Sequence, residues 1–231
     1  MARDFKIIGF DADDTLWVNE PFYQTTESDF CEILKPYAPE KETRSELFKT
    51  EIRNLELYGY GAKGFVLSMV ETAIRISGGQ ITATETERIL EIGKALMNMP
   101  VVLLDNTAAV LKKLQTRYKL ILATKGDLLD QERKLEKSGL ITCFHHIEIM
   151  SDKREENYLK LIRRLDIEPE DFIMIGNSIK SDVLPVINIG ASAIHVPYET
   201  TWQHENDHAL PDNSKYFTVV NLADVLKIIP V

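Results

Sequence analysis

The sequence predicts an α/β protein, a doubly wound parallel sheet with an all-helical domain inserted after the first strand. Three observations carry this reading. Phe5–Phe10 is a short apolar run that stops abruptly at Asp11-Ala-Asp-Asp-Thr15, as a buried strand does. From about residue 20 to residue 99 the apolar residues keep helical spacing, with no strand-like alternation. After Pro100, strand-length apolar runs alternate with amphipathic segments, the pattern of a parallel sheet covered by helices on both faces.

Each element has a local reason. In the insertion, Thr43 with Glu46 and Thr82 with Glu85 match capping boxes and mark helix starts. Val66, Met69, Val70 and Ala73 form a helical stripe that Gly78-Gly79 ends. Beyond Pro100, Leu103–Leu114 reads as a helix capped near Asp105 or Asn106. Tyr118–Ala123 reads as a strand ending in Thr124-Lys125-Gly126, and Leu128–Ser138 as a helix closed by Gly139. Phe144–Met150 is a strand. Tyr158, Leu159, Ile162 and Leu165 form an amphipathic stripe. Asp171–Ile175 is a strand ending in Gly176-Asn177-Ser178, followed by a helix over Ile179–Ile189 and a strand over Ala191–Val196. A short strand, Phe217–Val220, and a helix, Leu222–Ile228, complete the chain.

Composition narrows the functional classes. The 231 residues are 44% hydrophobic and 27% charged, an ordinary globular balance. The net charge of −9 argues against nucleic acid and acidic membranes as partners. Cys31 and Cys143 suggest no disulfide framework. Asp4 and Lys6 interrupt any signal-like apolar run, and no segment is long and apolar enough to span a bilayer. A cytoplasmic setting is expected.

The polar clusters fall where an open α/β sheet places its ligands, beyond the carboxyl ends of strands. Asp11, Asp13 and Asp14 repel one another unless a cation intervenes, and hard carboxylate oxygens suit Mg²⁺. Taken alone, they are also compatible with a solvated acidic turn. Three clusters further along the chain decide between the two: Thr124-Lys125-Gly126, then Lys153 in Ser-Asp-Lys-Arg, then Gly176-Asn177-Ser178 with Asp182.

These four clusters, in this order and setting, resemble the motifs of the haloacid dehalogenase superfamily of hydrolases. The resemblance covers residues 1–16 and 100–231 as the catalytic core, with residues 17–99 similar to the family's helical cap. It implies a Rossmann-like core and Mg²⁺-dependent hydrolysis of a small phosphate monoester. Asp11 would be the nucleophile that forms an aspartyl-phosphate. Asp13 would be the general acid and then the base, with a raised pKa, and its backbone carbonyl would touch the metal. Thr124 and the backbone N–H of Gly126 would bind phosphoryl oxygens. Lys153 would pair with Asp11 and the phosphate. Asn177 and Asp182 would complete the metal site, directly or through water.

One residue departs from the commonest pattern. Asn177 stands where many relatives carry Asp, and it contributes an oxygen but no charge. It keeps two alternatives open: a metal-independent haloacid dehalogenase, and a relative that binds a phosphorylated ligand without turnover. Asp13 argues for the phosphatase, because a halide leaving group needs no acid.

Other residues have plainer readings. Asp14 reads as a turn or helix-capping residue, and Thr15 as orienting the loop. Lys125 either reaches substrate or lies at the surface. The stretch Tyr58-Gly-Tyr-Gly-Ala-Lys-Gly64 reads as a helix connection, with ring stacking on a flat ligand as the alternative. Expected substrates are a sugar phosphate, a nucleotide or a flavin mononucleotide-like ligand. His195, His204, Glu205 and His208 do not match a zinc spacing.

Overall fold

The computed structural model describes residues 5–206 and 211–231, the Asn206 side chain excepted. His208 lies outside them. Among the described residues six strands form one sheet: β1 (Ile7–Phe10), β2 (Lys119–Lys125), β3 (His146–Met150), β4 (Phe172–Gly176), β5 (Ser192–His195) and β6 (Tyr216–Thr218). Their order is β3-β2-β1-β4-β5-β6, and every pairing is parallel. The first strand is therefore central, as its unbroken apolar run requires.

The strand period of two sorts the core onto the two faces of the sheet. Ile8, Phe10, Leu120, Leu122, Ile173 and Ile175 pack on one face, against α5 (Thr107–Leu114) and α10 (Val225–Ile228). Ile121, Phe172, Met174 and Ala193 pack on the other, with Tyr158 and Ile162 of α7 (Glu155–Arg164). Gly9 makes this possible: a Cβ there would lie 2.6 Å from the Phe172 ring. The remaining crossover helices are α6 (Leu128–Ser138), which ends at Gly139 in the left-handed region (φ 70°), and α8 (Leu184–Asn188). The four-residue α9 (Gln203–Asn206) follows β5.

The helical insertion after β1 comprises α1 (Glu20–Leu34), α2 (Glu40–Tyr58), α3 (Ala62–Ile76) and α4 (Ala83–Met97). It has its own core around Phe30, Leu34, Leu47, Phe65, Met69 and Ile89. Thr82 accepts from the Glu85 backbone N–H while Glu85 accepts from that of Thr82, so the expected capping box is present. The box expected at Thr43 is absent, because α2 starts earlier, after Pro39, with acidic residues in its first turn. Thr43 is buried inside that helix. Gly59-Tyr60-Gly61 is the short connection from α2 to α3, and the hydroxyl of Tyr58, the last residue of α2, donates to Glu71 at 2.7 Å.

The chain divides into two compact units. One is the chain up to Glu20, Val101–Lys125 and the chain from Gln131 onward; the other is Pro21–Pro100 with Gly126–Asp130. No helix among the described residues is long and apolar enough to cross a membrane.

Candidate active site

The site grows from the carboxyl end of β1. Asp11 continues the ladder, its backbone N–H donating to Ile175 O at 2.9 Å. Phe10 is level with Leu122 and Ile175 on the neighbouring strands. Residues 11, 123 and 176 are thus level as well, and Thr124 and Asn177 stand one step beyond. The parallel register alone gathers three of the polar clusters at one sheet edge.

Lys153, at the entrance to α7, supplies the fourth. Its Nζ lies 2.5 Å from Asp11 Oδ1 and 2.6 Å from Asp182 Oδ1, and its side chain is 1% exposed. Asp182 Oδ2 accepts from the Ser178 backbone N–H at 3.0 Å. Gly176 makes room for that carboxylate, since a Cβ there would sit 2.2 Å from Asp182 Oδ2. The chain between Asn177 and Asp182 is not a regular helix. Ile179–Val183 forms a π turn, which carries Asp182 back toward Lys153.

Thr15 ties the first and last clusters together. Its hydroxyl proton faces Asp11 Oδ2 at 2.9 Å and Asn177 Oδ1 at 3.3 Å, and its oxygen accepts from the Asn177 N–H at 3.1 Å. It thus bridges two side chains of the site. The Asn177 carbonyl oxygen accepts from His195 Nε2 at 2.9 Å. Asp14 does cap: its carboxylate accepts from the backbone N–H of Asn19 and Glu20 at the start of α1.

The Asp13 carboxylate has partners of its own. Oδ1 accepts from Trp17 Nε1 at 2.7 Å and from Lys134 Nζ at 3.0 Å, and Oδ2 accepts from Gln131 Nε2 at 2.8 Å. Thr124 is buried next to the end of β2. Gly126 takes φ 140°, a value L side chains rarely adopt. The Lys125 ammonium is engaged by Glu205 at 2.6 Å and by Ser181 Oγ at 2.8 Å.

The charges explain what the centre can hold. One ammonium faces two buried carboxylates, leaving about one negative charge over. Burial raises the Asp11 pKa to about 7; Lys153 opposes this and Asp182 adds to it. Burial works against the Lys153 ammonium, but Asp11 and Asp182 outweigh it and push its pKa up. Asp14 is raised to about 7 by burial, against the backbone N–H donors that face it. Burial also resists ionisation of Glu205, yet Lys125, Ser178 and Ser181 bring it down to about 2.

No group of three or more His, Cys, Asp and Glu side chains converges as a metal site among the described residues. The donors that the hydrogen bonds bring together here are of a different make-up: the Asp11 and Asp182 carboxylates, which share Lys153, and the Asn177 amide oxygen, which shares Thr15 with Asp11. All are hard oxygens, and the surplus negative charge is what a divalent cation neutralises, so the set fits Mg²⁺.

Sequence reasoning did not single out Gln131, Lys134 or Ser181, named Ser178 only as a member of the fourth cluster, and weighed Glu205 only as a metal ligand. Their partners in the site lie far off along the chain; Lys125 and Glu205 are 80 positions apart. The one available signal was topological, since Glu205 sits in the segment that follows β5 at the same sheet edge.

Known proteins place this geometry in a family. The haloacid dehalogenase-like hydrolase family matches residues 5–190. A haloacid dehalogenase-like family hydrolase from Xanthomonas campestris, solved as a crystal structure, is 38% identical. It superposes with a TM-score of 0.87, covering 97% of this chain and 91% of that one. The N-acylneuraminate-9-phosphatase of Homo sapiens is 24% identical over 56% of this chain and 52% of its own length. The glyceraldehyde 3-phosphate phosphatase of Methanothermobacter thermautotrophicus is 31% identical over 53% of this chain and 56% of its own. The matches thus span about half the length of these curated relatives. The four clusters, their common sheet edge and the match over residues 5–190 together show that the chain belongs to the haloacid dehalogenase-like hydrolases.

Proposed function

We propose that the protein is a Mg²⁺-dependent phosphatase that hydrolyses a small-molecule phosphate monoester through an aspartyl-phosphate on Asp11. The observation that carries this reading is the pairing of Asp11 with buried Lys153 at a central strand end, two residues before a second carboxylate, Asp13. The names of the two curated phosphatase relatives support it.

Asp11, the Asp13 backbone carbonyl, Asn177 and Asp182 would hold the cation. When bound, Mg²⁺ supplies charge neutralisation for a phosphoryl group approached by a carboxylate. Lys153 favours the ionised form of Asp11 against the effect of burial and would add a second positive charge beside the phosphoryl oxygens. Thr15 and Lys153 fix the Asp11 rotamer, so that one oxygen can attack phosphorus. The P–O bond to the alcohol breaks as the Asp11–P bond forms, and Asp13 gives its proton to the leaving oxygen. Asp13 then takes a proton from water, which attacks phosphorus and releases phosphate and free Asp11. Trp17, Gln131 and Lys134 hold the Asp13 carboxyl in place. Thr124 and the Gly126 N–H would hold the phosphoryl oxygens.

Asn177 favours a second reading, a haloacid dehalogenase, because it removes a charge from the metal site. One assay separates the two. Phosphate release is measured over a panel of sugar phosphates, nucleotides and flavin mononucleotide, with Mg²⁺ or with chelator, beside halide release from short haloacids. Metal-dependent phosphate release is expected. Halide release that ignores chelator would replace the phosphatase with the dehalogenase.

A further inference from the structure

Glu205 is an acid in a short helix after β5, yet it is 8% exposed. Its Oε1 lies 2.6 Å from Lys125 Nζ. Its Oε2 accepts from Ser181 Oγ at 2.8 Å and from the Ser178 hydroxyl. Each hydroxyl spends its one proton on Glu205, while the Ser178 oxygen accepts from the Ser181 N–H at 3.0 Å and the Ser181 oxygen accepts from Lys125. Three donors converge on two oxygens. A carboxylate accepts them all; an amide has only one oxygen, and its NH₂ group would face a donor.

The connection runs on toward the nucleophile. Ser178 is the residue whose backbone N–H holds Asp182 Oδ2, and Asp182 shares Lys153 with Asp11. From the other side, the Tyr158 hydroxyl donates to Ser181 O at 3.0 Å. The π turn over Ile179–Val183 is therefore gripped at Ser178 and Ser181, and Asp182 is held beside those two points.

We propose that Glu205 is a positioning residue for the Asn177–Asp182 loop: by anchoring Ser178 and Ser181 to Lys125 it sets where Asp182 stands for the cation, and it holds the Lys125 ammonium away from the phosphoryl site. The part concerning the cation rests on the phosphatase reading above. The part concerning the loop rests on the hydrogen bonds alone. Partners behind metal ligands commonly change metal affinity by about 10- to 100-fold when removed.

The test titrates MgCl₂ into wild type, Glu205→Gln, Glu205→Asp and Thr82→Ala by calorimetry, with hydrogen exchange followed over residues 176–183. Glu205→Gln should weaken Mg²⁺ binding by about tenfold or more and speed exchange over that segment. Glu205→Asp keeps the anion and should restore part of both. Thr82→Ala destabilises the helical insertion instead and should leave both unchanged. Wild-type affinity and exchange in Glu205→Gln would overturn the proposal, as would equal losses in Thr82→Ala. A wild type that binds no Mg²⁺ would count against the phosphatase reading. Exchange over residues 176–183 in Glu205→Gln would then still decide the positioning role.

Discussion

The Lys153 ammonium stands 2.6 Å from Asp182, a residue 29 positions away and just as deeply buried. Its other partner, Asp11, is 142 positions away. One lysine thus compensates two carboxylates that the fold forces together from separate strand ends. Its removal leaves like charges facing each other in a low-dielectric site.

Lys153→Met should therefore lower folding stability by about 3–5 kcal/mol, the usual cost of breaking a buried ion pair from one side. Urea denaturation monitored by circular dichroism measures this. A loss below about 1 kcal/mol, the range of exposed pairs, would mean that the acids do not depend on Lys153.

Gly176→Ala should disturb the site by contact alone. The added Cβ would meet Asp182 Oδ2 at 2.2 Å, and Asp182 has Lys153 and Ser178 on its other sides. Overpacking of this kind costs about 1–3 kcal/mol. The thermal midpoint should fall and phosphate release should fall with it; wild-type values for both would show that Asp182 relaxes freely.

Glu205 gives a pH dependence of definite sign. Its pKa falls from 4.5 in the unfolded chain to about 2 in the fold. A lowered pKa contributes stability that is complete above about pH 4.5 and is lost as pH falls toward 2, worth on the order of 3 kcal/mol. The slope of unfolding free energy against pH over this window should be shallower in Glu205→Gln than in wild type. Equal slopes would place the acid-labile group elsewhere.

Asp13→Asn should keep the fold, since an amide can still accept from Trp17 and Lys134. It removes the proton donor and acceptor. On the proposed mechanism kcat should drop about 10²- to 10⁴-fold with Mg²⁺ affinity nearly unchanged, because the backbone carbonyl remains. Rapid-quench kinetics and calorimetry test the two halves separately.

Thr82→Ala should cost about 1 kcal/mol through loss of the α4 capping box. A thermal melt measures it.

The central strands were legible in the sequence because they are bounded apolar runs, and the neighbourhood of Asp11 because such runs end in polar clusters. Long-range pairing hid other features. Leu103–Leu114 reads as one helix, but Val18 N–H bonds Val102 O and Leu104 N–H bonds Leu16 O. Those contacts hold residues 102–104 in an extended segment, and α5 starts only at Thr107. Ile179–Ile189 likewise reads as one regular helix. The π turn over Ile179–Val183 answers to Lys153 and Glu205, which helical periodicity does not register. The Thr43 box matches a local pattern, while Pro39 and the acidic residues after it set the true start. Lys125 looks free for substrate because its counter-ion lies 80 positions downstream.

The mechanism stands on Asp11 carrying the phosphoryl group. The direct measurement is an acid quench of wild type and Asp11→Asn during turnover of the best phosphate ester with Mg²⁺, followed by peptide mass analysis. The wild-type peptide containing Asp11 should gain the mass of one phosphoryl group, and Asp11→Asn should neither gain it nor release phosphate. Undiminished phosphate release by Asp11→Asn, with no adduct in either protein, would contradict the mechanism.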